Sequence, residues 1–411
     1  MEGALRFVLP LVALVVAGCH GSAADAPLPK YADDPTPYAP RSGSGNAFDA
    51  YVLAASDVNA EVQGLGFDPL GRTFFTPQQR EKIIQAVRPA LSRLARTTSP
   101  CEFQYVPQKP GEPVPYRAEW RLLGRALRWG IDDDLAKEDT SSALGKVAVA
   151  MRFAADLCGG GPSDRTLGVE IANDVRDAIV PSLPKLAPAD LHRLADGVKS
   201  ALRRRKPLKD TLDNGEKDML LALQALQDGF QKNELAAIQK AMGREFRDLQ
   251  SPLEEFKKKS DKRTAFFEGL HGDLQRLSDA WRAAALLPAS ERAEVLKVKL
   301  KGDRPRKAFA RHFFLLGKPL LEIEDRSVAQ LRLLVLEAEL RRVVRLAGRA
   351  PSSLSAVKPP WATDPYTGRT FGYLPDGAEF RIYSVGANLK DDLGDTDEAG
   401  LSPDIRTVLP N

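Results

Sequence analysis

The side chains of this 411-residue chain best suited to covalent chemistry are three thiols, Cys19, Cys101 and Cys158. Cys101 follows Ser99-Pro100 and opens the loop leading to an apolar stripe around Trp120 and Leu127, while Cys158 ends the stripe Leu144, Val147, Met151, Ala155. If these stripes are antiparallel helices, both thiols fall at one end, where a disulfide would close a loop of roughly 57 residues. The other reading makes Cys158 a small buried hydrophobe. The four histidines, His20, His192, His271 and His312, match no zinc spacing, and no Gly-x-Ser-x-Gly elbow is present. Gly159-Gly160-Gly161 lacks the Gly-Lys-Ser/Thr that completes a phosphate loop. Glu170 and Asp174 stand one helical turn apart, the ordinary spacing of a solvated face. The residues therefore lead to the expectation of a non-enzymatic protein; a cell-wall-active enzyme would require a pocket of converging carboxylates.

The segment ahead of these residues gives an address. Arg6, an apolar run from Phe7 to Val16 too short to span a bilayer, and Val16-Ala17-Gly18-Cys19 together resemble a bacterial lipoprotein signal peptide ending in a lipobox. The resemblance implies removal of residues 1–18 and acylation of Cys19 with palmitate-like chains. It also implies a bilayer as partner, because two or three acyl chains hold a protein where one does not. His20 rather than Asp after the Cys implies sorting to the outer membrane, with the body in the periplasm. Residues 19–46, with Pro27, Pro29, Pro35, Pro37, Pro40 and Ser42-Gly43-Ser44-Gly45, read as a partly stiff tether.

Composition bounds the rest. With 43% apolar and only 7% aromatic residues, the chain favours amphipathic helices over β-sandwiches, and a net charge of +4 with 28% charged residues speaks against nucleic acid as partner. Thr76-Pro77-Gln78-Gln79 and Ser251-Pro252-Leu253-Glu254 each predict a helix directly downstream. The first continues through Ile83, Val87, Leu91 and Leu94, and further stripes run through Leu191, Leu194 and Val198 and through Leu220, Leu223 and Leu226. The expected fold is mainly α: antiparallel helical hairpins over 47–325, weakly tetratricopeptide-like but without a sustained 34-residue period, then a small α+β module over 326–411. Basic runs at Lys297 to Arg311, Arg203-Arg204-Arg205-Lys206 and Lys257-Lys258-Lys259 suit either anionic lipid and cell-wall polymers or solvated helix ends.

After the stripe Val328, Leu331, Val335, Ala338 come Pro351, Pro359 and Pro360, then Asp364-Pro365-Tyr366-Thr367-Gly368-Arg369. Strand candidates at Phe371 to Tyr373 and Glu379 to Ser384 flank Pro375-Asp376-Gly377, a hairpin signal. The tail reads Tyr383-Ser384-Val385-Gly386-Ala387-Asn388 and turns acidic. This order resembles the globular C-terminal module of type II secretion major pseudopilins, joined here to a helical body as in bacterial envelope proteins. It lacks their prepilin-peptidase site and hydrophobic assembly helix. The resemblance implies an acidic loop that can hold calcium, with Asn388, Asp391, Asp392, Asp395 and Asp397 as its hard oxygen ligands; a solvated acidic tail is the other reading. The functional expectation is an anchored scaffold or binding protein with an envelope protein partner, the alternative an accessory part of a secretion or pilus-like machine.

Overall fold

The computed structural model describes residues 29–107, 115–232, 260–300, 306–307, 310, 317–356, 361–394 and 404–406. Cys19 and the lipobox, the cap expected at Ser251, and Asp395 and Asp397 lie outside the described residues. Within them are ten α-helices: α1 (Ala47–Val62), α2 (Pro77–Ala86), α3 (Arg88–Arg96), α4 (Arg117–Ala136), α5 (Thr140–Leu157), α6 (Pro162–Ile179), α7 (Pro188–Arg204), α8 (Leu208–Gln231), α9 (Ser260–Ala284) and α10 (Gly317–Ala347). Three strands follow, β1 (Gly372–Asp376), β2 (Glu379–Ser384) and β3 (Ile405–Arg406). The chain is mainly helical with a small antiparallel sheet, as its composition and patterning require.

The single helix expected from Thr76 through Leu94 breaks at Val87, where Pro89 in the first turn of α3 starts a second helix. Local chemistry sets the helix starts. Thr76 Oγ1 accepts from Gln79 N at 3.2 Å and Gln79 Oε1 accepts from Thr76 N at 2.9 Å, a complete capping box with Pro77 in the first turn of α2. Asn46 caps α1 by accepting from Phe48 N, and it also pairs with the Glu102 backbone through both ends of its amide. One side chain thus starts a helix and ties down the segment carrying Cys101.

Helices α4, α5 and α6 pack on one another through short connections, and α7 packs on α5. Trp120 sits at the centre, edge-on to Phe48, Phe103 and Phe153, and its indole N–H donates to Tyr51 O at 2.9 Å. In a solenoid each repeat touches only its neighbours. Here α10 returns from beyond α8 and α9 to pack along α7 and α6, so the hairpins close into one body instead of continuing as a tetratricopeptide-like stack.

Two faces of α10 are buried. Leu331, Leu334, Val335 and Ala338 join the main core, whereas Ala329, Leu333, Leu336 and Leu340 pack against Ala362, Tyr366, Phe371 and Ile382. The expected 325/326 boundary falls inside this helix. A further cluster joins α8 to α9 through Leu223, Phe230, Phe267, Leu270 and Leu274.

The expected hairpin is present, with Tyr373 opposite Ile382, but Pro375 and Asp376, expected in the turn, extend β1 and pair with Phe380 and Glu379, which leaves Gly377-Ala378 as the turn. Gly377 takes φ +60° at the first position of its two-residue turn, where a side chain would be strained. Strand β3, whose Ile405 lies opposite Ser384, adds an edge that the sequence did not announce.

Two expectations are corrected by packing. The stretch from Pro29 to Asn46 is docked on the body instead of being a spacer, with Tyr31 against α8 and α9 and Tyr38 against α1. The basic run at 203–206 is half spent internally: Arg204 pairs with Asp156 and Arg205 with Glu324, whereas Lys206 is exposed and the exposed Arg203 lies over Trp361.

Candidate functional site

The segments Asp364-Pro365-Tyr366-Thr367-Gly368 and Tyr383-Ser384-Val385-Gly386 are brought together by one carboxylate. Asp364 is buried, and its oxygens accept from Ser384 Oγ at 2.9 Å, Tyr366 N at 2.9 Å and Val385 N at 3.2 Å. Asp364 N donates to Arg369 O and Gly368 N donates to Asp364 O, which closes the Asp-Pro-Tyr-Thr-Gly segment into a tight loop. The loop is braced from the body side as well: Arg332 donates to Thr363 O at 2.7 Å, and the Ala289 and Ser290 amides donate to Pro365 O and Tyr366 O. Burial raises the Asp364 carboxyl, against the hydrogen bonds that favour its charge.

The acidic loop covers the outer face of the sheet. Tyr383 is the residue it covers: an added Cβ at Gly372 would lie 2.3 Å from the ring, and one at Gly394 would lie 2.9 Å from it. Both glycines are therefore required by the closeness of the ring. The Tyr383 hydroxyl donates to Asp391 Oδ1 at 2.9 Å, Arg381 donates to Leu393 O at 2.9 Å, and Gly394 N donates to Asp404 Oδ2 at 2.8 Å. Leu389 and Leu393 take left-handed backbone conformations, φ 59° and 58°, which these bonds hold in place.

This geometry bears on the expected calcium ligands. Asp391 Oδ1 also accepts from Leu393 N, Asn388 Oδ1 accepts from Lys390 N, and Asn388 Nδ2 donates to Asp392 Oδ2. Each of the three described members, Asn388, Asp391 and Asp392, thus has an oxygen engaged by a donor of the protein itself. Apolar burial of Leu389 and Leu393 is not what orders the loop; hydrogen bonds to Tyr383, Arg381 and the backbone are. Among the described residues, the metal-ligand types that converge within 4.8 Å are His192, Asp196 and Glu339 instead. That set is exposed in two of its three members, and Glu339 already pairs with Lys199 at 2.6 Å and Arg342 at 3.0 Å, so it reads as an ion-pair network.

The triple glycine marks a second polar centre, which spacing alone did not reveal. A Cβ on Gly160 would lie 2.4 Å from Asp164 Oδ2, and one on Gly161 would lie 2.5 Å from the Tyr105 ring. The glycines serve close packing, with no phosphate chemistry implied. Asp164 accepts from Gly161 N at 2.9 Å at the start of α6, and burial pushes its carboxyl up to about 7 despite that bond and the nearby Arg117 charge. Tyr105 donates its hydroxyl to Asp218 across the same pocket of side chains.

Beside it, the wholly buried Arg165 donates to Glu324 Oε1 at 2.7 Å and Oε2 at 2.9 Å, to Cys158 O at 2.8 Å and to Thr211 Oγ1 at 2.9 Å. Arg205 shares the same carboxylate. Burial works against the Glu324 charge, yet the two guanidinium groups outweigh it and hold the carboxyl at about 2. Arg165 and Glu324 lie on different helices far apart in sequence, so only the fold could pair them.

The two body cysteines are free thiols, and the disulfide that their flanking stripes allowed is not formed. Cys101 lies near the Tyr51–Asp156–Arg204 network, whereas Cys158 is packed against Gly168 of α6 with Arg165 and Arg205 nearby. Burial raises both thiols and keeps them protonated, the opposite of a nucleophile's requirement. Glu170 pairs with Arg121 at 3.4 Å, and burial raises Asp174. No family model, curated protein or solved structure matches the chain.

Proposed function

We propose that this protein is a lipid-anchored scaffold or binding protein of the bacterial cell envelope, acting without catalysis and held at the periplasmic face of the outer membrane. The observation that carries this reading is the apolar run from Phe7 to Val16 closing on Val16-Ala17-Gly18-Cys19. The interior supports the non-catalytic part: Arg165, Arg205 and Glu324, Arg204 and Asp156, and Arg292 and Asp325 pair with one another in the packed body. Among the described residues, no helix is long and apolar enough to cross a membrane. The partners on this reading are the bilayer, through acylated Cys19, and an envelope protein. Radiolabelled palmitate should enter the wild type and not Cys19→Ser, and the variant should move to the soluble fraction; equal membrane retention of the two would refute the anchor.

One observation favours the second reading, an accessory role in a type II secretion or pilus-like machine. The Asp364–Ser384 bond joins the two segments that resemble a pseudopilin module. Deletion of the chain's gene should then impair release of secreted proteins, and normal secretion would count against this role.

A further inference from the structure

The segment from Pro29 to Asn46 is fastened to the body at two places. Near its start, Gln227 Nε2 donates to Pro29 O at 3.0 Å and Tyr31 N donates to Gln224 Oε1 at 2.8 Å, both acceptor and donor side chains coming from α8. The Tyr31 ring lies 5.1 Å from His271 of α9, and burial, with Glu268 nearby, raises its phenol to about 12. Further along, the buried Asp49 of α1 accepts from Tyr38 OH at 2.5 Å, from Arg41 N at 3.0 Å and from Ser44 Oγ. Tyr38 also packs edge-on against Phe48. The two fastenings belong to different apolar clusters, so the strap links the α8–α9 pair to α1.

We propose that this strap decides which side of the protein meets the lipid: the α8–α9 hairpin around Gln224, Gln227 and His271 is held near the bilayer, and the β1–β2 hairpin is held away from it. The inference rests on acylation of Cys19. Cys19 is only ten residues from Pro29, and a chain of that length spans at most about 35 Å fully extended. Were the chain unattached as far as Asn46, the reach would be about 90 Å, enough to let any face approach. The strap therefore removes most of the rotational freedom that a Pro-rich spacer would give.

The position of the sheet supplies the contrast. Ala350 N donates to Gly377 O at 2.8 Å, so the hairpin turn lies beside the C-terminal end of α10. The other end of α10, at Leu320 and Leu321, packs with the start of α8 at Leu208 and the end of α9 at Trp281, whereas the strap is fastened nearer the opposite end of that pair, at Gln224, Gln227 and His271. Between the two lie most of the 31 residues of α10, a rod of about 40 Å.

The test uses the full chain, made with its own leader, purified in detergent and reconstituted into vesicles of phosphatidylethanolamine and phosphatidylglycerol that carry a headgroup-linked acceptor dye. A donor dye is attached at Glu268→Cys, an exposed position of α9 close to Tyr31, or at Asp376→Cys on the hairpin. The buried Cys101 and Cys158 are shielded from the label. Energy transfer from the first position should exceed that from the second several-fold. A Gly-Ser linker as long as the strap, inserted after Ala26, leaves the sequence from Pro29 to Asn46 unchanged and should abolish the difference, as should Tyr31→Ala. Equal transfer from both positions in vesicle-bound protein, or a difference that survives the linker, would overturn the inference and leave the anchor standing. Protein that fails to float with the vesicles would instead overturn the acylation reading beneath it.

Discussion

Asp364 and Ser384 meet inside the C-terminal module, where the serine hydroxyl lies 2.9 Å from each oxygen of a carboxylate that is 1% exposed. Asp364→Ala would leave this hydroxyl and the Tyr366 and Val385 amides without their acceptor in a dry environment. The expected loss is about 3 kcal/mol, against about 1 kcal/mol for Ser384→Ala, which removes a single partner. Urea unfolding followed by circular dichroism would show it; equal midpoints for Asp364→Ala and the wild type would refute the role.

Glu324 makes stability sensitive to acid. Its folded carboxyl is held at about 2 against an ordinary value of 4.5, so the unfolded chain takes up the proton first as pH falls. The contribution is complete above pH 4.5 and is lost as pH drops from there towards about 2, on the order of 3 kcal/mol in all. Glu324→Gln should be less stable than the wild type at neutral pH, because Arg165 and Arg205 lose their counter-charge, and should decline less in acid. A variant whose urea midpoint falls as steeply with pH as the wild type would exclude this assignment.

Asp164 acts with the opposite sign. Its folded carboxyl lies at about 7 against 3.8, so the folded state binds the proton more tightly and stability falls as pH rises between those values, at roughly 1.4 kcal/mol per pH unit. Asp164→Asn keeps an acceptor for the Gly161 amide and no longer titrates. The variant should gain on the wild type as pH climbs from 4 to 7; a constant difference across that window would show that Asp164 does not titrate there.

Tyr383 holds the acidic loop. Tyr383→Phe keeps the ring between Gly372 and Gly394 and deletes only the bond to Asp391, which should cost about 1 kcal/mol. Because Asn388, Asp391 and Asp392 already serve protein donors, calcium should leave the melting temperature of the full-length wild type unchanged. Calcium bound to the folded state at a hundredfold excess over its Kd would instead add about 2.7 kcal/mol, a rise that calorimetry would detect.

What could be read in advance was local. Thr76, Pro77 and Gln79 specify a helix start by their own hydrogen-bonding chemistry, and Gly377 marks a hairpin turn, so both were visible without a fold, although Pro375 and Asp376 prove to be strand residues. Relationships set by tertiary packing were not. Two faces of α10 are apolar, which blurs the single stripe that would have marked it as shared between body and sheet. The strap has the composition of a spacer, and the aromatics Tyr31 and Tyr38 were the one sign that it docks. Strand β3 is too short for any periodicity, and Arg165 and Glu324 become neighbours only when α10 returns to α6.

That return has a consequence for how the chain tolerates being cut. Since α10 contributes residues to two cores, a break between α9 and α10 would give two fragments that each expose half of a shared interior. The C-terminal fragment would carry its sheet and also the ridge that fills the groove of α6 and α7. The core between α10 and the sheet would stay with the C-terminal piece, while the main core would be divided between the two. The protein is therefore suited to fragment complementation, and a proteolytic nick at that point would leave the halves joined by packing alone.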